Sequence, residues 1–185
     1  ESCPSIEILQ GYSASACNYA EFLSQIERHQ QALTVLTDVM QLFEDTASRS
    51  DSPKHKYECS TLANQLAQRF IDGGFYHEAR SAANQSFDLR SDLYEIDYRV
   101  ELRYRMTKSI YWVAFASMKL GDSQRAQQLF TSCVDELLEI MPDLRKVDSV
   151  GSVDPCSDFQ RIGLAFEEMG DETMVSRVRN ILSDH

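Results

Sequence analysis

The chain has 185 residues, 29 acidic against 18 basic, and a formal charge of −11. This balance opposes phosphate-backbone binding and argues against nucleic acid as a partner. Gly (7) and Pro (4) are scarce, so the first expectation is an all-helical chain, and no apolar run reaches the ~18 residues a membrane span needs.

The elements follow from apolar spacing of three and four. A first unit, 13–43, places Ala16, Tyr19, Ala20 and Leu23 on one helix, then Ala32, Val35, Leu36, Val39 and Leu42 on another. The stretch 44–56, with its Ser, Asp and Pro residues, reads as a mobile loop. A second unit, 58–90, carries Leu62, Leu66, Ala67, Phe70 and Ile71 before Gly74, and Ala79, Ala82, Ala83 and Phe87 after it. From Arg90 to Met106 no breaker occurs, so long helices extend through this interval. The third unit, 95–142, has Ile110, Val113, Ala114, Ser117 and Met118, then Ala126, Leu129, Phe130, Cys133, Val134 and Leu137. A second loop is expected over 143–155. The fourth unit, 156–184, has Phe159, Ile162, Gly163 and Phe166, then Val175, Val178 and Leu182.

The units share a turn: Gly74 to Ala79, Gly121 to Ala126, Gly170 to Val175 and, degraded, Glu27 to Ala32. Ala32, Ala79, Ala126 and Val175 follow one another at steps of 47, 47 and 49 residues. Such a period marks stacked repeats, each burying its apolar face against its neighbours. One domain, 1–185, of four helical hairpins is expected.

The pattern resembles the tetratricopeptide repeat family. The fourth unit matches through Phe159, Ile162, Gly163, Phe166 and Gly170, the second through Ala67, Phe70, Gly74, Tyr76, Ala79 and Ala83, and the third through Ala114, Gly121, Ala126 and Phe130. Val175 departs from the family's alanine, and the period exceeds the family's 34 residues by roughly thirteen. The turns keep their internal spacing, so the additions are expected between units. The resemblance implies an all-α, right-handed superhelical solenoid that binds peptides on the concave side lined by the first helix of each hairpin.

On that register the peptide-facing residues are Lys108, Tyr111, Trp112, Phe115, Met118 and Lys119 in the third unit, Asn64, Gln65 and Gln68 in the second, and Gln160 and Arg161 in the fourth. Aromatic and Met side chains offer an adaptable apolar surface, and amides can bond to an extended peptide backbone. The alternative for Trp112 and Phe115 is packing within the core. The basic clamp of family members that hold chaperone tails is not reproduced, since Cys17, Glu21, Asn64 and Gln68 stand there. A run of Arg99, Arg103, Arg105 and Lys108 is either a basic patch or, with Glu95 and Glu101 in reach, a salt-bridged helix face.

Catalytic signatures are lacking: no HExxH, no GxSxG, no phosphate-binding glycine loop, and His29, His55, His77 and His185 fall in turns, a loop and the terminus. The five cysteines have no zinc-type spacing and suit free thiols, with Cys3 and Cys17 able to bridge if the chain is exported. The chain starts at Glu1, as a processed or excised product would. The expectation is a non-enzymatic module, cytoplasmic and without cofactor or metal, that binds a protein or peptide partner. The alternatives are a peptide-sensing regulatory domain of a larger protein and a self-associating scaffold, a homodimer in the simplest case.

Overall fold

A computed structural model describes residues 4–146 and 154–183. They form eight helices and no strand: α1 (Ile6–Gln25), α2 (His29–Arg49), α3 (Pro53–Asp72), α4 (Tyr76–Ile96), α5 (Val100–Lys119), α6 (Ser123–Leu144), α7 (Pro155–Met169) and α8 (Glu172–Ser183). The fold is an all-α helical repeat, built from α1–α2, α3–α4, α5–α6 and α7–α8 hairpins. Tertiary contacts gather these into two compact units, one up to Asp97 and one from Tyr98 onward.

One turn geometry closes every hairpin. Gly74, Gly121 and Gly170 have φ of +76°, +82° and +72°, the left-handed conformation that costs glycine nothing. The N–H that follows each one donates five residues back: Phe75 to Phe70 O at 2.8 Å, Asp122 to Ser117 O at 2.9 Å and Asp171 to Phe166 O at 3.0 Å. The first turn repeats the bond, Arg28 N–H to Leu23 O at 2.8 Å, but Glu27 occupies the left-handed position at φ 62°. Past the turn, Ala32, Ala79, Ala126 and Val175 are all buried, and their small or β-branched side chains let the second helix close on the first.

The extra residues of the long period lie mainly inside helices of 20 to 22 residues in the first six elements. This corrects the loop expected over 44–56. Helix α2 continues to Arg49 because Phe43, Thr46 and Ala47 prolong its buried face, and Pro53 then opens α3 at a first-turn position, where its missing N–H is harmless. Only residues 50–52 connect the two. His55 is therefore helical, and its Nδ1 meets Ser50 Oγ at 2.8 Å. The first unit likewise starts at Ile6 rather than at residue 13, with Leu9 fully buried.

The interval 90–106 extends both neighbouring helices as expected, with a break at residues 97–99. Of the stretch 143–155, Asp143 and Leu144 belong to α6 and Pro155 opens α7, while residues 147–153 lie outside the described residues. In the second unit Phe130, Phe159, Phe166, Ile162, Leu137 and Ile140 form the centre of the core.

The turn makes the same left-handed demand at Gly121 and Glu27, so adding a side chain at one and removing it at the other should have opposite effects. Gly121→Ala should lower unfolding free energy by about 1–2 kcal/mol, and Glu27→Gly should raise it by up to about 1 kcal/mol. Urea titration followed by circular dichroism reads both, and equal effects of the same sign would refute the common turn.

Candidate functional site

In the second unit, α5 and α7 border a narrow cleft of about 20 Å³ that opens to solvent. Thr107, Lys108, Tyr111 and Trp112 line it from α5, Leu137 from α6, and Asp158, Arg161 and Ile162 from α7. The positions 108, 111 and 112 lie within little more than one turn, so one face of α5 presents them together.

The aromatic wall rests on the core. The Tyr111 ring lies edge-on to Trp112 with centroids 4.9 Å apart and contacts Phe130 at 5.6 Å, which in turn packs on Phe166 at 5.8 Å. Phe115 adjoins both Tyr111 (6.2 Å) and Trp112 (6.3 Å) and carries Lys119 Nζ 5.2 Å above its ring. Lys119 is also held by Glu168 on α7 at 2.5 Å. Tyr111, Trp112, Phe115 and Met118 are all half-buried, so these side chains are part core and part accessible surface.

The polar end is a small network. The hydroxyl of buried Tyr104 donates to Asp158 Oδ2, and Lys108 Nζ lies 3.6 Å from Asp158 Oδ1 and 3.4 Å from the Tyr104 oxygen. Burial first, and then the hydrogen bond and charge of Asp158, push the Tyr104 phenol well above its ordinary range. Burial also pushes Tyr111 up to about 12, against the opposing charge of Arg161. Lys108 and Asp158 neutralise one another, which leaves the cationic Arg161 at the exposed lip.

Sequence reasoning named Lys108, Tyr111, Trp112 and Arg161, and these four share the cleft. It missed Tyr104 and Asp158. The signal available was the i, i+3 spacing of Asp158 and Arg161, which puts both on one side of α7, but their meeting with Tyr104 depends on tertiary packing. Gln160 is exposed and does not line the cleft, and Met118 packs on the core of this unit.

The second-unit candidates of the sequence reading lie elsewhere. Gln65 and Gln68 face a wider groove between α1 and α3, with Gln10, Asn18 and Arg69. Its polar rim is internally paired, Gln10 donating to Glu58 at 3.0 Å and Arg69 meeting Glu21 at 3.8 Å. Asn64 turns toward α4, where its Oδ1 accepts from Arg90 Nη1 at 3.4 Å.

The basic run resolves in part: Arg103 pairs across to α6, with Glu136 at 2.7 Å and Glu139 at 3.0 Å. Cys133 is a buried free thiol and Cys17 a half-buried one, Cys59 is buried, and Cys3 lies outside the described residues. Among the described residues no group of three His, Cys, Asp or Glu is placed to hold a metal, and no helix is long and apolar enough to cross a membrane.

No family model matches the sequence, and no curated protein matches it. Among solved structures the chain is similar to one described as "DHF79 filament", at a TM-score of 0.56 and 13% identity, covering 95% of this chain and 96% of that one. Two structures of a kinesin light chain with nearly identical TPR-like repeats, from Podosopora anserina, align at a TM-score of 0.33 and 16% identity over 92% of this chain and 94% and 95% of theirs. The first likeness concerns the fold alone. The chain is a helical repeat, without assignment to a specific repeat family.

Two measurements test the site's construction. Asp158→Ala leaves the buried Tyr104 hydroxyl without its acceptor and should cost about 1–3 kcal/mol of stability. Tyr111 keeps its proton when folded to about pH 12, whereas the unfolded phenol loses it near pH 10. Its contribution to stability is therefore whole below about pH 10 and is lost between about pH 10 and 12. Tyr111→Phe should flatten that alkaline fall in urea titrations at pH 9 and 11.5, and an unchanged slope would contradict the burial of Tyr111.

Proposed function

We propose that the protein is a non-enzymatic interaction module whose α5–α7 cleft takes an extended peptide or a helix of a partner protein. The carrying observation is the meeting, in one cleft, of an aromatic wall (Tyr111, Trp112) with a charged lip (Lys108, Arg161). Half-buried aromatics fixed by a packed core beneath them are rigid anchors that lose little entropy on binding, and Trp, Tyr and Arg are the residues that most often dominate binding energy. Because Asp158 already neutralises Lys108, the surplus charge is that of Arg161, and the ligand class it favours is an apolar side chain next to a carboxylate. The helical-repeat fold supports this reading, since stacked hairpins present side chains on rigid elements. The amides Gln65 and Gln68, on the first unit, are a separate and weaker candidate surface.

Trp112 is the chain's sole tryptophan and so reports on the cleft directly. Peptides selected from a random displayed library against the wild-type protein should carry an acidic residue beside an apolar one and should change Trp112 fluorescence on titration. Tyr111→Ala or Arg161→Glu should weaken them at least tenfold, about 1.4 kcal/mol, with the helical spectrum retained. Selection of peptides that leave the fluorescence untouched and bind both variants as wild type would sink the assignment of this cleft.

A further inference from the structure

Helix α1 and its C-cap residue Ile26 carry an apolar face that nothing in their own unit covers. Ile8, Tyr12, Tyr19, Phe22 and Ile26 are 44% to 63% exposed, and they are five of the eight large apolar side chains so exposed among the described residues. With Ser15 they follow steps of four, three, four, three and four, the seam of a helix that pairs with another helix. At about 100° per residue this seam lies nearly opposite the side of α1 that faces α3, where Gln10 bonds to Glu58 and Glu21 meets Arg69. It is also distinct from the core side, formed by Leu9, Ala16, Ala20 and Leu23. The seam therefore points away from the hairpins of the first unit.

We propose that α1 is a dimerisation helix that pairs antiparallel with α1 of a second copy of this chain, about a twofold axis level with Cys17. The order of the seam carries the choice of occupant, because it is self-complementary when reversed. Antiparallel pairing sets Ile8 against Ile26 of the second copy, Tyr12 against its Phe22, and Ser15 against its Tyr19. The single small seam residue thus receives a large one, twice by symmetry, as a face shared by two identical copies requires. A parallel pairing would instead set Ser15 against Ser15, leaving a gap, and Tyr19 against Tyr19.

Charge and area agree with this occupant. The chain carries −11 overall, yet Glu7 and Glu21, the two carboxylates of α1, both lie off the seam, and the seam's flank holds Gly11 and Asn18. Two acidic copies therefore meet here with no carboxylate on the seam itself. Nothing lies within 4 Å of where a Cβ on Gly11 would sit, which leaves room for a second helix to approach closely. A side chain of this size buries roughly 150–250 Å² when fully covered, so half-exposed it has roughly 100 Å² left to bury. Five of them give roughly 500 Å² per copy and roughly 1,000 Å² in all, which reaches the size of a specific interface.

The α5–α7 cleft plays no part in this surface, so the two readings fail separately. Sedimentation equilibrium of the full chain from 1 to 200 μM should show a monomer–dimer equilibrium. Tyr19→Glu and Phe22→Glu should each raise the dissociation constant at least tenfold with an unchanged helical spectrum; Phe22→Ser, which adds no charge, should do so too. The register has its own test: Ser15→Tyr should weaken the dimer, and the reciprocal Ser15→Tyr, Tyr19→Ser double variant should restore it. A wild-type chain monomeric at 200 μM, or a dimer indifferent to Tyr19→Glu and Phe22→Glu, overturns the proposal. A dimer tightened by Ser15→Tyr overturns its antiparallel register.

Discussion

The hairpin turn is the constraint on which the rest depends. A helix leaves its last carbonyls without partners, and the left-handed residue after it swings the chain so that one N–H returns to the carbonyl five residues back. That closure fixes the direction of the next helix. Because the same bond recurs at Leu23, Phe70, Ser117 and Phe166, the four hairpins start from one geometry, and the buried Ala32, Ala79, Ala126 and Val175 fall at the same point of closest approach. Changes elsewhere are tolerated around this fixed point. Phe70 and Ala83 in the second hairpin are answered by Ser117 and Phe130 in the third, large and small exchanged between equivalent positions with their summed volume roughly kept.

That exchange sets up the cleft. With the large residue moved to α6, Phe130 stands under Tyr111 and links it to Phe166. The aromatic wall is consequently both core and surface, and the choice between the two, which the sequence posed as alternatives, has no single answer. A side chain whose inner edge is packed and whose outer edge is bare is held still without being consumed by the core. Rigidity at the lip comes from Asp158, which holds the Tyr104 hydroxyl and the Lys108 ammonium together. Binding at such a site loses less to ordering than binding on a mobile surface.

The hairpins were legible because their signals are local. Apolar residues three and four apart, a glycine, and a small residue five positions on suffice to place α3 to α8 within a few residues. What misled was polarity without context. Asp45, Ser48 and Arg49 look like loop residues, but they are the outer face of a helix whose inner face continues through Phe43, Thr46 and Ala47. Ser52 and Pro53 likewise mark a helix start rather than a long connector. Asn64 could not be placed from its register, because the Arg90 that draws it toward α4 lies 26 residues away. The tie between Tyr104 and Asp158 spans 54 residues and has no sequence signature.

Stacking repeats has a consequence at any helix packed on one side only: the face that a stacked hairpin would bury against a neighbour is left over. Polar residues can dissolve that face, and α8 follows this route, with Thr173, Ser176, Arg179 and Asn180 exposed. Helix α1 does the opposite, presenting isoleucine, tyrosine and phenylalanine at positions where the repeat imposes no requirement of its own. Its mean composition hides this, because Gly11, Ser13, Ser15 and Asn18 dilute the apolar residues along the sequence. Only the angular order around the helix separates one apolar face packed on α2 from a second that is bare. A helix with two apolar faces is made to have two neighbours, and the first unit supplies a partner for one.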